Sequence, residues 1–147
     1  MACAAARRFY AHLGRRGVFL LILGTGKAAF GVGLVVQPPP PQGLQLLLHW
    51  APMRCWAWVW IAAGIVTAGA AFLQVGRDRW GYLAALVPPS VWACTYLTAA
   101  LTGEFPRGAW LAIWYLTSHI GVIVWAAGVP EHSVPRRRRS PGVRGEG

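Results

Sequence analysis

Acidic residues are scarce in this chain of 147 residues, where four Asp and Glu stand against fourteen Lys and Arg. Charged residues of both signs make up 12% of the sequence, well below the roughly 25% that is typical of soluble domains. Hydrophobic residues make up 56%. So little charge on so apolar a chain excludes an ordinary soluble globule and predicts a membrane protein, because lipid then replaces water as the solvent.

Residue patterns that carry catalysis or bind metals are also missing from the sequence. The three cysteines, Cys3, Cys55 and Cys94, match neither a disulfide framework nor a Cys/His metal spacing. There is no G-x-S-x-G, H-E-x-x-H or P-loop motif. Paired carboxylates, which an acid protease or a proton relay would need, are absent from the apolar segments. We therefore expect a non-enzymatic protein with no catalytic residues, no metal and no cofactor.

Four apolar segments are long enough to cross a bilayer, which takes about 20 residues. They cover residues 17–36, 55–75, 80–101 and 108–129. The predicted fold is an all-α polytopic membrane protein, an antiparallel bundle of four transmembrane helices over residues 17–129. A basic segment, residues 1–16, precedes the bundle, and a disordered basic tail, residues 130–147, follows it. Pro88 and Pro89 lie near the middle of the third segment and predict a kink or a break there.

Arginine is distributed unevenly along the chain. Four arginines lie in the N-terminal segment, two in the loop at 76–79 and five in the tail, eleven on one predicted side, against two on the other. This positive-inside bias predicts a cell-membrane protein with both termini in the cytoplasm. The arginines that we assign to topology or to lipid headgroups are Arg15, Arg16, Arg77, Arg79, Arg136, Arg137, Arg138 and Arg139.

The arginine run at 136–139 and the apolar spans together predict the partners of the chain. The spans contact the lipid bilayer, and the run contacts anionic lipid headgroups at about 1 kcal/mol per charge. Docking of a cytoplasmic partner by the same run stays open, and lipid contact is favoured over nucleic-acid binding. Self-association, or association with another membrane protein, is a further expectation for a small bundle of this kind.

Lys27 is the only lysine of the chain and the only charged residue inside the four segments. It lies near the middle of the first segment, roughly 15 Å from either membrane face, which is too far for its side chain to reach water by snorkelling. Gly24 and Gly31, three residues before it and four after it, share its helix face and would admit a close neighbour. The side chain is therefore expected to face the bundle.

Polar residues near the middle of the other segments are expected to lie at the depth of Lys27. The candidate intramembrane polar site comprises Lys27, Thr67, Ser90, Thr117, Ser118 and His119. A neutral His119 could accept a hydrogen bond from Lys27. Three interpretations of the lysine stay open: it joins helices through hydrogen bonds, it lines a polar cavity, pore or anion path, or it is tolerated through water defects without a role.

Four stretches carry a resemblance that covers residues 15–128. In order they read RGVFLLILGTGKAAFGVGLVV, WAWVWIAAGI, GYLAALVPPSVWACTYL and GEFPRGAWLA. In its spans and tryptophans the chain resembles a group of small four-span membrane proteins of actinobacteria and their phages. The resemblance implies the four-span fold, and it brings no activity and no functional residues with it.

Three functions are consistent with these observations. The first is a non-enzymatic structural or accessory membrane component. The second is a holin-like pore former of a phage or prophage, an analogy drawn from the small size and the basic tail. The third is a small transporter with a polar site at the bilayer midplane, for which Lys27 favours an anion over a cation.

Overall fold

The four apolar segments form four helical spans in the computed structural model, which describes residues 2–73 and 77–129, with side chains from residue 13 onward. The helices are α1 (Ala2–Val36), α2 (Gln45–Trp50), α3 (Met53–Ala70) and α4 (Arg79–Leu101). The fourth span, Gly108–Gly128, consists of α5 (Gly108–Trp114), a π-helical segment (Tyr115–Gly121) and α6 (Val122–Gly128). No strand occurs within the described ranges. The predicted all-α antiparallel bundle is confirmed.

The spans have the length and composition that a bilayer requires. The stretch Leu13–Val36 of α1, together with α3, α4 and the fourth span, gives four helices that are long and apolar enough to cross a membrane. The chain is a small polytopic membrane protein. The tail at 130–147, with Arg136 to Arg139, lies outside the described residues, so its predicted disorder stays a prediction.

The helix bounds differ from the predicted ones at two places. The second span ends as a helix at Ala70, before residue 75, and residues 71–73 form a turn. The first span starts earlier than residue 17, because α1 continues towards the N-terminus across a break at Gly14. Gly14 has φ 65° and ψ 179°, a backbone conformation that is essentially restricted to glycine.

The two prolines of α4 do not break it. The helix runs without interruption through Pro88 and Pro89, and both side chains are fully buried among the neighbouring spans. Each proline removes one backbone hydrogen bond from the helix. The loss of these hydrogen bonds is tolerated in a membrane bundle, because the neighbouring helices hold α4 in place. No other conformation in the bilayer would solvate the backbone better. The break that was predicted as one of two outcomes for the third span is therefore absent.

Small residues bring α1 and α3 into close contact. A Cβ atom added at Gly31 would lie 2.8 Å from the carbonyl oxygen of Ala57, and one at Gly64 would lie 2.5 Å from the backbone nitrogen of Ala28. A Cβ at Gly24 would meet the backbone of Ala68. These are the small-residue contacts that allow membrane helices to approach backbone to backbone. They fix the rotation of α1, and with it the direction in which Lys27 points.

Two clusters of buried apolar side chains lie on either side of Lys27 along the bundle. One cluster lies towards the turn between α3 and α4, and the other lies towards α2. Leu20 belongs to the first and Leu34 to the second, and each is seven residues from Lys27 along α1. The lysine therefore lies between the two parts of the core, at the middle of the bundle.

Candidate functional site

Lys27 is buried, with 3% of its surface exposed, so its side chain points into the bundle. The Nζ atom lies 4.9 Å from the centre of the Trp60 ring, which is cation–π distance. Nζ has no hydrogen-bond partner among the described residues, and the same holds for the buried Nε1 atom of Trp60. Two neighbouring side chains on α1 and α3 thus present donors without acceptors.

A cavity of about 380 Å³ lies beside the lysine, between α1 and the fourth span. We call it the Lys27 cavity. Its lining residues are Ile22, Leu23, Gly26, Lys27, Phe30, Trp60, Trp114, Tyr115 and His119. Two of them, Ile22 (67% exposed) and Trp114 (52% exposed), also lie on the outer surface of the bundle. In a membrane this surface contacts lipid, so the cavity opens sideways towards the hydrocarbon rather than towards water.

The π-helical segment forms the wall of the cavity that lies opposite Lys27. A π-helix bonds residues five apart, and it therefore brings Trp114 and His119 to the same face. Their ring centres are 4.9 Å apart and the planes are nearly perpendicular, at 87°. The ring of Tyr115 lies 5.3 Å from that of His119. Two aromatic rings thus hold the imidazole, and π-helical turns of this kind are frequent at functional sites.

The structure brings Lys27 and His119 to one cavity but not the other four predicted site residues. Thr117 and Ser118 are exposed on the outer surface, and each hydroxyl donates to a backbone carbonyl of its own helix. Ser90 is half-buried and lines a different cavity, beside Trp56. The functional role of the set stays a prediction.

Thr67 lies close to the end of α3, three residues before Ala70, and not at the level of Lys27. It is fully buried, and its hydroxyl donates to the carbonyl oxygen of Gly81 at 3.1 Å. The bond joins α3 to the first turn of α4. A Cβ at Gly81 would meet the side chain of Ala70, so this contact depends on the glycine. The structure gives Thr67 a place in helix packing.

Sequence reasoning did not identify the aromatic residues of the site. Tyr115 lies four residues before His119, so ordinary helical spacing could have placed the two rings on one face. Trp114 lies five residues before it, and only a π-helical turn brings that spacing together. Trp60 could have been found only from the contact between α1 and α3. The chain has nine tryptophans, and nothing local in the sequence distinguishes the one at position 60 from the others.

The arginines that were assigned to topology or headgroups take different positions. Arg15, Arg77 and Arg79 are exposed, and the guanidinium of Arg79 lies 5.6 Å from the centre of the Trp80 ring. Arg16 instead turns inward. Its Nε donates to Asp78 Oδ2 at 2.8 Å, and its Nη1 lies 3.1 Å from two carbonyl oxygens at the end of the fourth span.

The chemistry of the Lys27 cavity is that of a site rich in donors and poor in acceptors. The acidic residues within the described ranges, Asp78 and Glu104, lie outside the four helices and do not line the cavity. No group of His, Cys, Asp and Glu in the described part of the chain is arranged to hold a metal ion. The geometry is suited to a ligand that brings an accepting, negatively charged group to the lysine.

Comparisons with protein-family models, with curated proteins and with solved structures found no match to this chain. The resemblance to four-span proteins of actinobacteria and their phages therefore stays a prediction, as does the holin analogy.

Proposed function

We propose that this protein is a non-enzymatic accessory component of the membrane that binds an anionic group at Lys27. The observation that carries the proposal is a buried amine without an acceptor among the described residues. A lysine at the middle of a span costs about 2.5–3.5 kcal/mol on insertion scales. A cation–π contact offsets up to about 2 kcal/mol of that cost. A negative group in the cavity supplies the remaining compensation.

The orientation of the site in the membrane follows from the arginines. Arg15, Arg16, Arg77 and Arg79 lie at the same end of the bundle, because α1 starts and α3 ends there. We propose that this end is cytoplasmic. Lys27 is nine residues from Val36, a rise of about 14 Å, so the site lies well inside the hydrocarbon from the opposite face.

An anion transporter is the second candidate function, and one observation favours it. A further cavity of about 310 Å³ extends from the site towards the connection after α1, where Gln37 and Pro39 line it. It shares Phe30 and Tyr115 with the Lys27 cavity. These two side chains border both cavities, so in a carrier they would act as the gate between the buried site and the connection. A carrier of this kind would move its anion past them.

The proposal is tested by thermal unfolding of the full chain in detergent, comparing the wild type with Lys27→Met. Without added anions, we expect the variant to be more stable by about 1 kcal/mol, because methionine keeps the contact with Trp60 and removes the uncompensated charge. Chloride, a phenolate and a long-chain carboxylate are then added in turn. At least one should raise the unfolding temperature of the wild type and leave Lys27→Met unchanged.

Thr25→Val is the matched control, since Thr25 is exposed on the same helix and should respond to anions as the wild type does. A marked loss of stability in Lys27→Met would instead identify the lysine as a residue that joins helices by hydrogen bonds. If none of the three anions acted through Lys27, the proposed site would be rejected.

A further inference from the structure

We propose that the ligand of the Lys27 cavity is a long-chain carboxylic acid that is dissolved in the membrane. Its carboxylate lies between Lys27 and the opposite wall, and its hydrocarbon chain leaves through the sideways opening. The inference rests on the proposed function and deepens it, because it names the class of ligand.

The donors around the cavity select a carboxylate. Lys27 Nζ and Trp60 Nε1 are buried donors without acceptors among the described residues, and His119 lies on the facing wall. A carboxylate offers two oxygens and can accept from more than one of these groups at once. A charged oxygen makes a stronger hydrogen bond with an amine than a neutral carbonyl does. An ester or alcohol of the same length would leave the lysine charge uncompensated.

The remaining lining selects a ligand with an apolar body. Apart from the polar atoms of the lysine, the histidine, the tyrosine and the two indoles, the cavity presents aliphatic and aromatic carbon, including Leu23 and Phe30. A small inorganic anion would exchange a complete hydration shell for a lining that is mostly carbon with only these few donors, which is unfavourable in a low-dielectric site. A hydrocarbon chain loses no favourable hydration on entering the cavity, because both the chain and the lining are apolar.

The size and the opening of the cavity explain where the chain of the acid goes. Sites that enclose a whole small molecule have about 300–1,000 Å³, and 380 Å³ lies near the lower end of that range. The opening is bordered by Ile22 and Trp114, both exposed on the outer surface. The carboxyl end and the first part of the chain therefore fill the cavity, while the rest of the chain extends into lipid.

A carboxylate from another protein is the alternative source of the same chemistry. A second copy of this chain cannot provide it from its spans, since these contain no Asp or Glu. A transmembrane helix of a different protein could bring one only to the rim, because the cavity has room for a side chain and not for a helix backbone. The observations therefore favour the small acid.

The test is photolabelling of the full chain in lipid nanodiscs with a palmitic acid analogue that carries a diazirine near its carboxyl end. We expect labelled peptides to map to residues 22–30 and 114–119. Unlabelled palmitate should compete, and methyl palmitate should not. Lys27→Met should reduce the labelling by about tenfold, the effect of losing one charge-assisted hydrogen bond, and Lys27→Arg should retain part of it.

A second pair of variants leaves the lysine in place. Ile22→Trp adds bulk at the opening and should reduce labelling, whereas Val32→Trp, on an exposed part of α1 away from the cavity, should not. Equal labelling by the acid and its methyl ester, or labelling that ignores both Lys27→Met and Ile22→Trp, would overturn the inference.

The outcomes also separate this inference from the proposed function. Chloride or a phenolate could stabilise the protein through Lys27 while palmitate fails to compete with the photolabel. That result would support the proposed anion site and reject a long-chain acid as its ligand. Stable co-purification of another membrane protein that is lost in Lys27→Met, without palmitate competition, would assign the site to a partner's carboxylate and reject the small acid.

Discussion

Two buried or half-buried cations of α1 are compensated in different ways. Arg16 has a carboxylate at 2.8 Å and two backbone carbonyls at 3.1 Å, from the 71–78 connection and the end of the fourth span. The last carbonyls of a helix lack partners within it, so an arginine is well suited to this position. Lys27 has only the face of a tryptophan ring. At the scale of residues, the charge of Arg16 is fully paired, whereas Lys27 has no acceptor among the described residues, which is what the proposed binding role requires.

Arg16→Gln should lower the free energy of unfolding by about 2–3 kcal/mol, because it removes charge-assisted hydrogen bonds that join three parts of the chain. Arg15→Gln, the exposed neighbour, should change it by no more than about 0.5 kcal/mol. Equilibrium unfolding in mixed detergent micelles measures both. Equal effects of the two substitutions would mean that Arg16 acts only through its charge at the membrane surface.

At the scale of elements, the contact between α1 and α3 depends on glycines at a seven-residue interval. An added Cβ at Gly24 or Gly31 would meet the backbone of α3, and one at Gly17 would meet the carbonyl oxygen of Ala71, directly after α3. A seven-residue repeat keeps one helix face against a neighbour over several turns. The sequence predicted this face correctly for Gly24 and Gly31. It did not predict Ala57 and Gly64 as their neighbours, because the residues of one helix face do not identify the helix that packs against it.

Gly24→Ala should destabilise the bundle by about 1–3 kcal/mol, since the new methyl group has no space against Ala68. Gly33→Ala is the matched control on the same helix, because nothing lies within 4 Å of a Cβ at that position. It should be neutral or stabilise slightly, by up to about 1 kcal/mol. Thermal unfolding measures the stability of both variants. A similar loss of stability in each would show that the contact between α1 and α3 is not the cause of the effect at Gly24.

How much of this structure can be predicted from the sequence depends on whether a feature is set by neighbouring residues or by residues far apart in the chain. Span number and all-α class follow from apolar runs, which are local features of the sequence. The partner of Asp78 could not be predicted, because Arg77 and Arg79 flank it while the ion pair found here uses Arg16, 62 residues away. The π-helical segment was not predicted either, since nothing in the local sequence of residues 115–121 distinguishes it from an α-helix.

The candidate site was predicted in part. Lys27 and His119 reach the same cavity because both lie near the middle of their spans. Depth alone also suggested Ser90 and Thr117, which lie on other faces. Depth follows from position along a span, whereas facing direction depends on contacts between spans. The residues that complete the site, Trp60 above all, therefore required the structure.

At the scale of the whole molecule, the spans pack in chain order, α1 on α3, α3 on α4 and α4 on the fourth span. The Lys27 cavity lies where α1 and the fourth span face each other. The outer surface is formed by exposed apolar side chains along all four spans, among them Val66, Leu83 and Val124. The cation is inside and the outer surface suits lipid, which is the arrangement that the proposed binding protein requires.

Induced expression of the full chain in a bacterial host should therefore leave the membrane potential intact. A potential-sensitive dye followed through induction measures this, with a known pore-forming protein as the positive control and Lys27→Met as a matched variant. Abrupt depolarisation by the wild type would favour the holin-like alternative instead. If Lys27→Met abolished that depolarisation, the lysine would line the conducting path.

The π-helical segment imposes a constraint on chain length within the fourth span. Closing hydrogen bonds over five residues instead of four accommodates surplus chain, and this sets the rotation of α6 relative to α5. Ile123 and Ala126 are buried in that rotation. Deleting one residue between 115 and 121 would remove this surplus and restore the α-helical pattern with both side chains still facing the core, whereas one additional residue would turn them away by about 100°. This region should therefore tolerate the loss of one residue better than the gain of one.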